Sequence, residues 1–369
     1  MAKIFTTKIV PGSGTGLDSP AEFHPSGQWI ATTGIQANHF TRIDCKTAIT
    51  HTFGENPHPI STIAFDHSGD RLIAIDENKV SFWNVQSNAP LHCIHQNSTT
   101  MELPEDGVVP TLAINGDLFW IFGLNEWTLW STKKCELLMS LKVAAGERVL
   151  RVGHTSSKIP FAITYDEENR NHPTPTLSTV NLQSQDIESR IALDEWVDVL
   201  ISLDGKTAVL QSSSNTIDVW DMKAGRNLHS IQNVRLGLHP SFVANHRQIV
   251  THPIEKNDSL WCWIELIDVF SKDRIRFDSL SPFRPRISCS PYANLLVTVA
   301  NDNRHPIDST CFWDSETGKL IAETTGHLGH PFFSPCGKWF ATVSNNACEE
   351  TAVNHQPGGT VRITKLELN

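Results

Sequence analysis

Four of the 11 tryptophans in this chain share one setting, followed by Asp, Asn or Ser, and fall at a step that few folds allow. Aligned on Trp313 in "CFWDSETGKL", the equivalent positions are Ile43, Trp83, Trp130, Val180, Trp220, Ile267 and Ile363. The steps between them are 40, 47, 50, 40, 47, 46 and 50 residues. A length of 369 residues would suggest two or three unrelated domains, but self-similarity at a step of about 46 residues overrides that expectation.

A second phrase precedes each landmark. It reads "FHPSGQWIAT", "FDHSGDRLIAI", "AINGDLFWIF", "SLDGKTAVL", "SCSPYANLLVTV" and "FSPCGKWFATV". In most copies two short β-prone runs flank a Ser-Gly, Asn-Gly or Asp-Gly pair, where glycine supplies the positive φ of a tight hairpin. The fourth and sixth units, "GHTSSKIPFAITYD" and "LHPSFVANHRQIVTH", keep the pattern with weaker turn residues. Each unit therefore predicts four strands, with the landmark on the third. In the seventh these are "RISCS", "LLVTVA", "STCFWD" and "LIAET", and alternation sends Trp313 to one face and Phe312 to the other.

One four-stranded sheet cannot bury two faces, whereas sheets packed radially can. The expected fold is all-β: a single closed β-propeller over residues 1–369, with eight four-stranded blades, or seven if the fourth or sixth unit is irregular. The blades fall at about 20–54, 59–96, 108–143, 147–193, 197–233, 235–279, 283–326 and 329–369. The last unit has no room for a fourth strand after "TVRITKLELN", and "KIFTTKIV" at 3–10 has the length and character to supply it.

These residues resemble the WD40 repeat family over nearly the whole chain. Trp220-Asp221 and Trp313-Asp314 carry the resemblance, with Trp83-Asn84 and Trp130-Ser131 as looser copies, the "FSPCGKWFATV" hairpin, and Gly326-His327 opening the last unit. The resemblance implies a propeller serving as a rigid platform for protein partners. In that family a Gly-His, an Asp and the Trp share a hydrogen-bonded network. Here the unit opened by Gly326-His327 has Ile363-Thr364 at the Trp-Asp position, and no unit has the full set. Apolar packing is expected to hold the blades, with Trp83, Trp130, Trp220 and Trp313 in the core.

Composition is globular, with 39% hydrophobic and 19% charged residues and a net charge of −10. No basic stripe suggests nucleic acid, and no long apolar run suggests a membrane span. The opening "MAKIFTTKIVPG" lacks a signal-peptide pattern, so a cytoplasmic location is expected. The eight cysteines form no CxxC pair and read as free structural thiols.

Loops on a rigid scaffold are the natural place for recognition. The connections between second and third strands are short in units 1, 2, 3 and 5. They are long in unit 4 ("DEENRNHPTPT"), unit 6 ("PIEKNDSLW"), unit 7 ("NDNRHPIDS") and unit 8 ("SNNACEETAVNHQPGGT"). A partner-binding surface is expected over units 6 to 8, with Trp261, Trp263, Arg304, His305 and His355 as contacts, joined by Arg170 and His172 of unit 4. Aromatic and arginine side chains dominate interface hot spots. The connection "LSPFRPRIS" adds Phe283 and Arg284. The stretch 95–110, acidic at Glu102, Glu105 and Asp106, reads first as a linker.

Catalytic readings are weaker. His92 and His95 form a His-x-x-His, but a strand sends those positions to opposite faces, which suits a single metal ion poorly. HExxH, P-loop and GxSxG patterns are absent. No cofactor is expected. The chain reads as a non-catalytic interaction scaffold. A propeller enzyme or small-ligand binder at the central channel is the alternative, and a reader of a peptide motif the second.

Overall fold

The computed structural model describes residues 3–14, 21–33, 39–55, 60–66, 68–76, 79–87, 89–95, 111–115, 118–122, 126–142, 147–154, 160–166, 176–181, 186–192, 199–202, 206–211, 215–222, 224–236, 242–243, 247–253, 263–278, 285–290, 293–299, 309–325, 330–344 and 359–367. Among these the strands form eight four-stranded sheets, and no helix is present. Among the described residues the strand pairings are antiparallel, as short hairpin connections require. The protein is all-β, and its sheets have the form of propeller blades.

Seven sheets run in sequence order, over residues 21–55, 60–95, 111–142, 147–192, 199–232, 234–278 and 286–325. The eighth is different. Its first three strands are His330–Phe333, Trp339–Ser344 and Gly359–Glu367, and the N-terminal strand Lys3–Gly14 takes the fourth place. That strand pairs antiparallel along Gly359–Glu367, with Lys8 opposite Ile363 and Val10 opposite Val361.

Burial explains which strands lie inside. Second strands such as Trp29–Thr33 and Leu295–Val299 are buried at every residue, and their sequences are correspondingly apolar or β-branched throughout. Fourth strands such as Glu136–Lys142 and Arg226–Gln232 bury only alternate residues near one end, Met139, Leu141 and Ile231, and leave the rest in water.

Two compact units are defined by internal packing. In the unit comprising Met1–Ile63 and Asn233–Asn369, four sheets pack in succession. Sixth meets seventh through Val250, Leu266 and Phe277 against Leu296 and Trp313. Seventh meets eighth through Val297 and Phe312 against Phe340 and Leu366. Eighth meets first through Val343, Val361 and Ile363 against Phe23, Ile30 and Ile43. Trp313 and Phe312 therefore serve opposite interfaces of one sheet, as alternation requires. Full burial of each such side chain contributes about 1.5–3 kcal/mol. In the other unit, Ala64–Gln232, the second and third sheets pack Ile73 and Phe82 against Phe119, with the Phe82 and Phe119 ring centroids 5.2 Å apart.

The sixth sheet departs from expectation. The hairpin expected in "LHPSFVANHRQIVTH" closes through a bridge between Phe242 and Ile249 and a bond from Val243 N–H to Gln248 O at 2.8 Å, but Phe242 stands outside the sheet's first strand. The first strand is instead Val234–Leu236, which pairs with Thr251–Pro253.

Candidate functional site

Each sheet has a turn end, carrying the first-to-second and third-to-fourth connections, and an opposite end carrying the second-to-third. The turn end accounts for the residue after each tryptophan. Asp314 Oδ1 accepts the backbone N–H groups of Glu316 and Thr317 at 3.0 and 2.9 Å. Asn84 Oδ1 accepts those of Gln86 and Ser87, Asp268 Oδ1 those of Phe270 and Ser271, and Asp221 Oδ1 that of Ala224. Ser131 Oγ accepts the N–H of Lys134. Asp44 Oδ1 takes both the N–H and the hydroxyl of Thr47. Asp, Asn and Ser recur because a short side-chain oxygen can satisfy the otherwise open donors of the turn.

The turn then closes in one way. Five residues after the landmark, Ala48, Cys135, Gly225, Lys272 and Gly318 all have φ between 55° and 71°. Their N–H groups donate to the carbonyls of Asp44, Ser131, Asp221, Asp268 and Asp314 at 2.7–2.9 Å. A further bond joins this turn to the neighbouring hairpin, as from Cys45 N–H to Gln28 O and from Ser315 N–H to Asn294 O. In the second, third, fourth, fifth and seventh sheets the strand register shifts immediately before the landmark, re-aiming it relative to its neighbour.

The indole N–H groups find hydroxyl partners. Trp83 Nε1 donates to Ser81 Oγ at 3.0 Å, Trp130 Nε1 to Thr128 Oγ1 at 2.8 Å and Trp313 Nε1 to Thr298 Oγ1 at 3.0 Å. Trp220 Nε1 is buried with no hydrogen-bond partner among the described residues. Core placement holds for Trp83 and Trp313, whereas Trp130 and Trp220 are only half-buried.

Three kinds of ionisable group stand out. Burial alone would raise the Asp44 carboxyl, but hydrogen bonds from Thr47 and Lys46, with Arg42 close by, outweigh it and lower its pKa. Asp268 is lowered in the same way, burial being outweighed by the N–H groups of Ser271 and Phe270 and by Arg247. On the first strand of the first sheet, Glu22 is exposed to water, yet desolvation by the protein beside it pushes its carboxyl up to about 7. The buried Cys311 thiol is pushed up to about 11 by burial, with Glu323 adding to the effect. Cys45, Cys135, Cys289, Cys311 and Cys336 are free thiols.

The expected partner-binding residues are mostly beyond this description. Trp261, Arg304, His305, His355, Arg170, His172, Phe283 and Arg284 lie outside the described residues, as do Gly326, His327 and the stretch 96–110. Trp263 opens the third strand of the sixth sheet, opposite Asp278. The strand ends flanking 254–262, 300–308 and 345–358 belong to the first of the two units and those flanking 167–175 to the second. In the sixth and seventh sheets these ends face away from the turns capped by Asp268 and Asp314. His92 and His95 both lie on the strand Ala89–His95.

Thr298 and Glu22 are site features that sequence reading did not single out. No local pattern marks Thr298, because it meets Trp313 across two strands. Glu22 is an ordinary surface residue by sequence and acquires its environment only when the sheets pack.

No family model matches the chain. Autophagy-related protein 16 from Arabidopsis thaliana is 23% identical over 138 residues, 37% of this chain, and the match spans a quarter of that relative's length (25%). A chain in a crystal structure of the mitotic checkpoint complex aligns with 98% of this chain and 91% of its own length, at 11% identity and a TM-score of 0.49. The four-stranded sheets and Trp–Asp turns of this protein resemble WD40-type repeats.

Proposed function

We propose that the eight sheets are the blades of one closed propeller, its last blade completed by the N-terminal strand, and that the protein is a non-catalytic scaffold for protein partners. One observation carries this reading. The same hydrogen-bonded clamp recurs at the turn end of sheet after sheet, with Asp44, Asn84, Asp221, Asp268 and Asp314 in equivalent roles. A scaffold fixed at one end of most of its sheets leaves the connections at the other end free to vary without loss of the fold, and those connections do vary in length. The shared core of the eighth and first sheets, from opposite ends of the sequence, is what a ring would require.

The partner-binding surface then lies over the long connections of the sixth to eighth blades, with Trp261, Trp263, Arg304, His305 and His355 as contacts. Arg170, His172, Phe283 and Arg284 extend it, and the protein acts in the cytoplasm.

The test is affinity capture from the native host with the intact protein and with variants in which 301–308 and 345–358 are replaced by short turns. A stoichiometric partner held by the intact chain and lost from the shortened ones is expected. A partner that both variants retain, or no stoichiometric protein partner at all, overturns the reading. Alanine at Arg304 and His305 should weaken capture of the same partner.

A further inference from the structure

At the turn end of the second sheet, where it meets the third–fourth turn of the third, a cleft of about 540 Å³ opens. That is within the size of small-molecule sites, about 300–1,000 Å³. The cleft lies wholly within the unit Ala64–Gln232, and its walls include Ser68, Asp70, Arg71, Asn84, Gln86 and Lys133. None of these residues belongs to the partner-binding surface proposed above.

What distinguishes the cleft is hydrogen-bonding capacity held in place and, among the described residues, left unused. Arg71 begins the second strand of its sheet and crosses to the next. Its Nη1 donates to the Thr132 carbonyl and lies 3.3 Å from Cys135 Sγ. This fixes the plane of the guanidinium, while among the described residues its remaining N–H groups donate to nothing. Lys133 stands on the turn that Arg71 grips. Its neighbour Lys134 pairs with Glu136 at 2.9 Å, whereas Lys133 has no such partner among the described residues. Two cations thus line one cleft of a chain with net charge −10.

The carboxylates of the cleft are not their counterparts. Asp66 is buried, and spends its two oxygens on the Arg71 backbone N–H at 3.1 Å and the Ser68 hydroxyl at 2.9 Å. Asp70 is exposed, and its carboxylate has no partner among the described residues. Asn84 Oδ1 is committed to its own turn, which leaves its amide N–H groups and Gln86 to serve a ligand.

We infer that this cleft binds a small zwitterion, a free amino acid or dipeptide. Its carboxylate lies between Arg71 and Lys133, and its ammonium is held by Asp70. A guanidinium held at Nη1, with its Nε and Nη2 donors uncommitted among the described residues, suits a carboxylate. A free carboxylate in the same cleft disfavours a purely anionic ligand and favours one that brings its own positive charge.

The test is a ligand-observed NMR titration of the full chain with diglycine, N-acetyl-diglycine and diglycine amide. Diglycine is expected to bind saturably, and blocking either end to weaken binding about fivefold or more. Lys133→Ala and Asp70→Asn should each weaken diglycine by a similar factor, while Lys134→Ala leaves it unchanged. Arg71→Gln is secondary, because Arg71 also joins two sheets. No saturable binding of diglycine overturns the assignment. So does acetylated diglycine binding as well as the free dipeptide, or an affinity that Lys133→Ala and Asp70→Asn leave untouched.

Discussion

A Cβ built on Gly27 would stand 2.3 Å from Cys336 Sγ, so two hairpin turns from opposite ends of the sequence meet with no room for a methyl group. Gly27 also has φ +67°, a left-handed conformation that disfavours side chains. Gly27→Ala should therefore destabilise the protein through both strain and collision, by about 1–3 kcal/mol. Cys336→Ala alone should cost little. Combined with Gly27→Ala it should recover the collision share and leave the strain, because the remaining Cβ is 3.3 Å away. Denaturant unfolding of the four proteins in this cycle measures the coupling. Strictly additive costs would mean that the turns separate to accommodate the change.

The left-handed position five residues after each landmark is filled by glycine in two sheets, Gly225 and Gly318, and by Ala48, Cys135 and Lys272 in others. Ala48→Gly and Lys272→Gly should stabilise by about 0.5–1 kcal/mol, since strain relief exceeds the added freedom of the unfolded chain. The reverse change, Gly318→Ala, should cost more than 1 kcal/mol, roughly. Its Cβ would lie 2.9 Å from Ile275 Cγ2 and 3.0 Å from the Arg276 carbonyl. Opposite signs in chemical denaturation are the readout.

The turn residues and the landmarks were legible because they are local. Asp314 acts on Glu316 and Thr317, and Gly318 closes the same turn, so six consecutive residues contain the device. Strand positions were legible for the same reason, and the seventh sheet lies where its four apolar runs are. In the sixth the hairpin of Phe242 and Ile249 was legible, but the first strand Val234–Leu236, which pairs beyond it with Thr251–Pro253, was not. The Arg71 cleft was invisible because it joins residues more than 60 positions apart, Arg71 with Thr132 and Cys135. Trp130 and Trp220 read as core through their spacing, but spacing reports the turn and not the depth of the indole.

Removing residues 1–12 should lower Tm by about 5–10 °C, far more than loss of a terminus that pairs with nothing. The strand Lys3–Gly14 covers Gly359–Glu367 along its length, so its loss opens the eighth sheet from Val361 to Leu366. It also leaves a long unpaired edge, which promotes self-association. Thermal unfolding with light scattering checks both effects. An unchanged Tm would mean that the first three strands of this sheet suffice.

Glu22 makes stability depend on pH in a predictable direction. Its folded pKa is raised to about 7 from the ordinary 4.5, so the folded protein binds a proton that the unfolded chain has already released. This contribution is fully present below about pH 4.5, declines as pH rises toward 7, and above that the ionised carboxylate is a constant cost. Water reaches the side chain, so the loss will be smaller than for a sealed carboxyl. Glu22→Gln removes the titration. The variant and the native protein should have similar stability near pH 4.5, and the variant should be the more stable at pH 8. Unfolding free energies across pH 4.5–8 make the comparison. Parallel curves would show that Glu22 ionises as freely in the folded protein as in the unfolded chain.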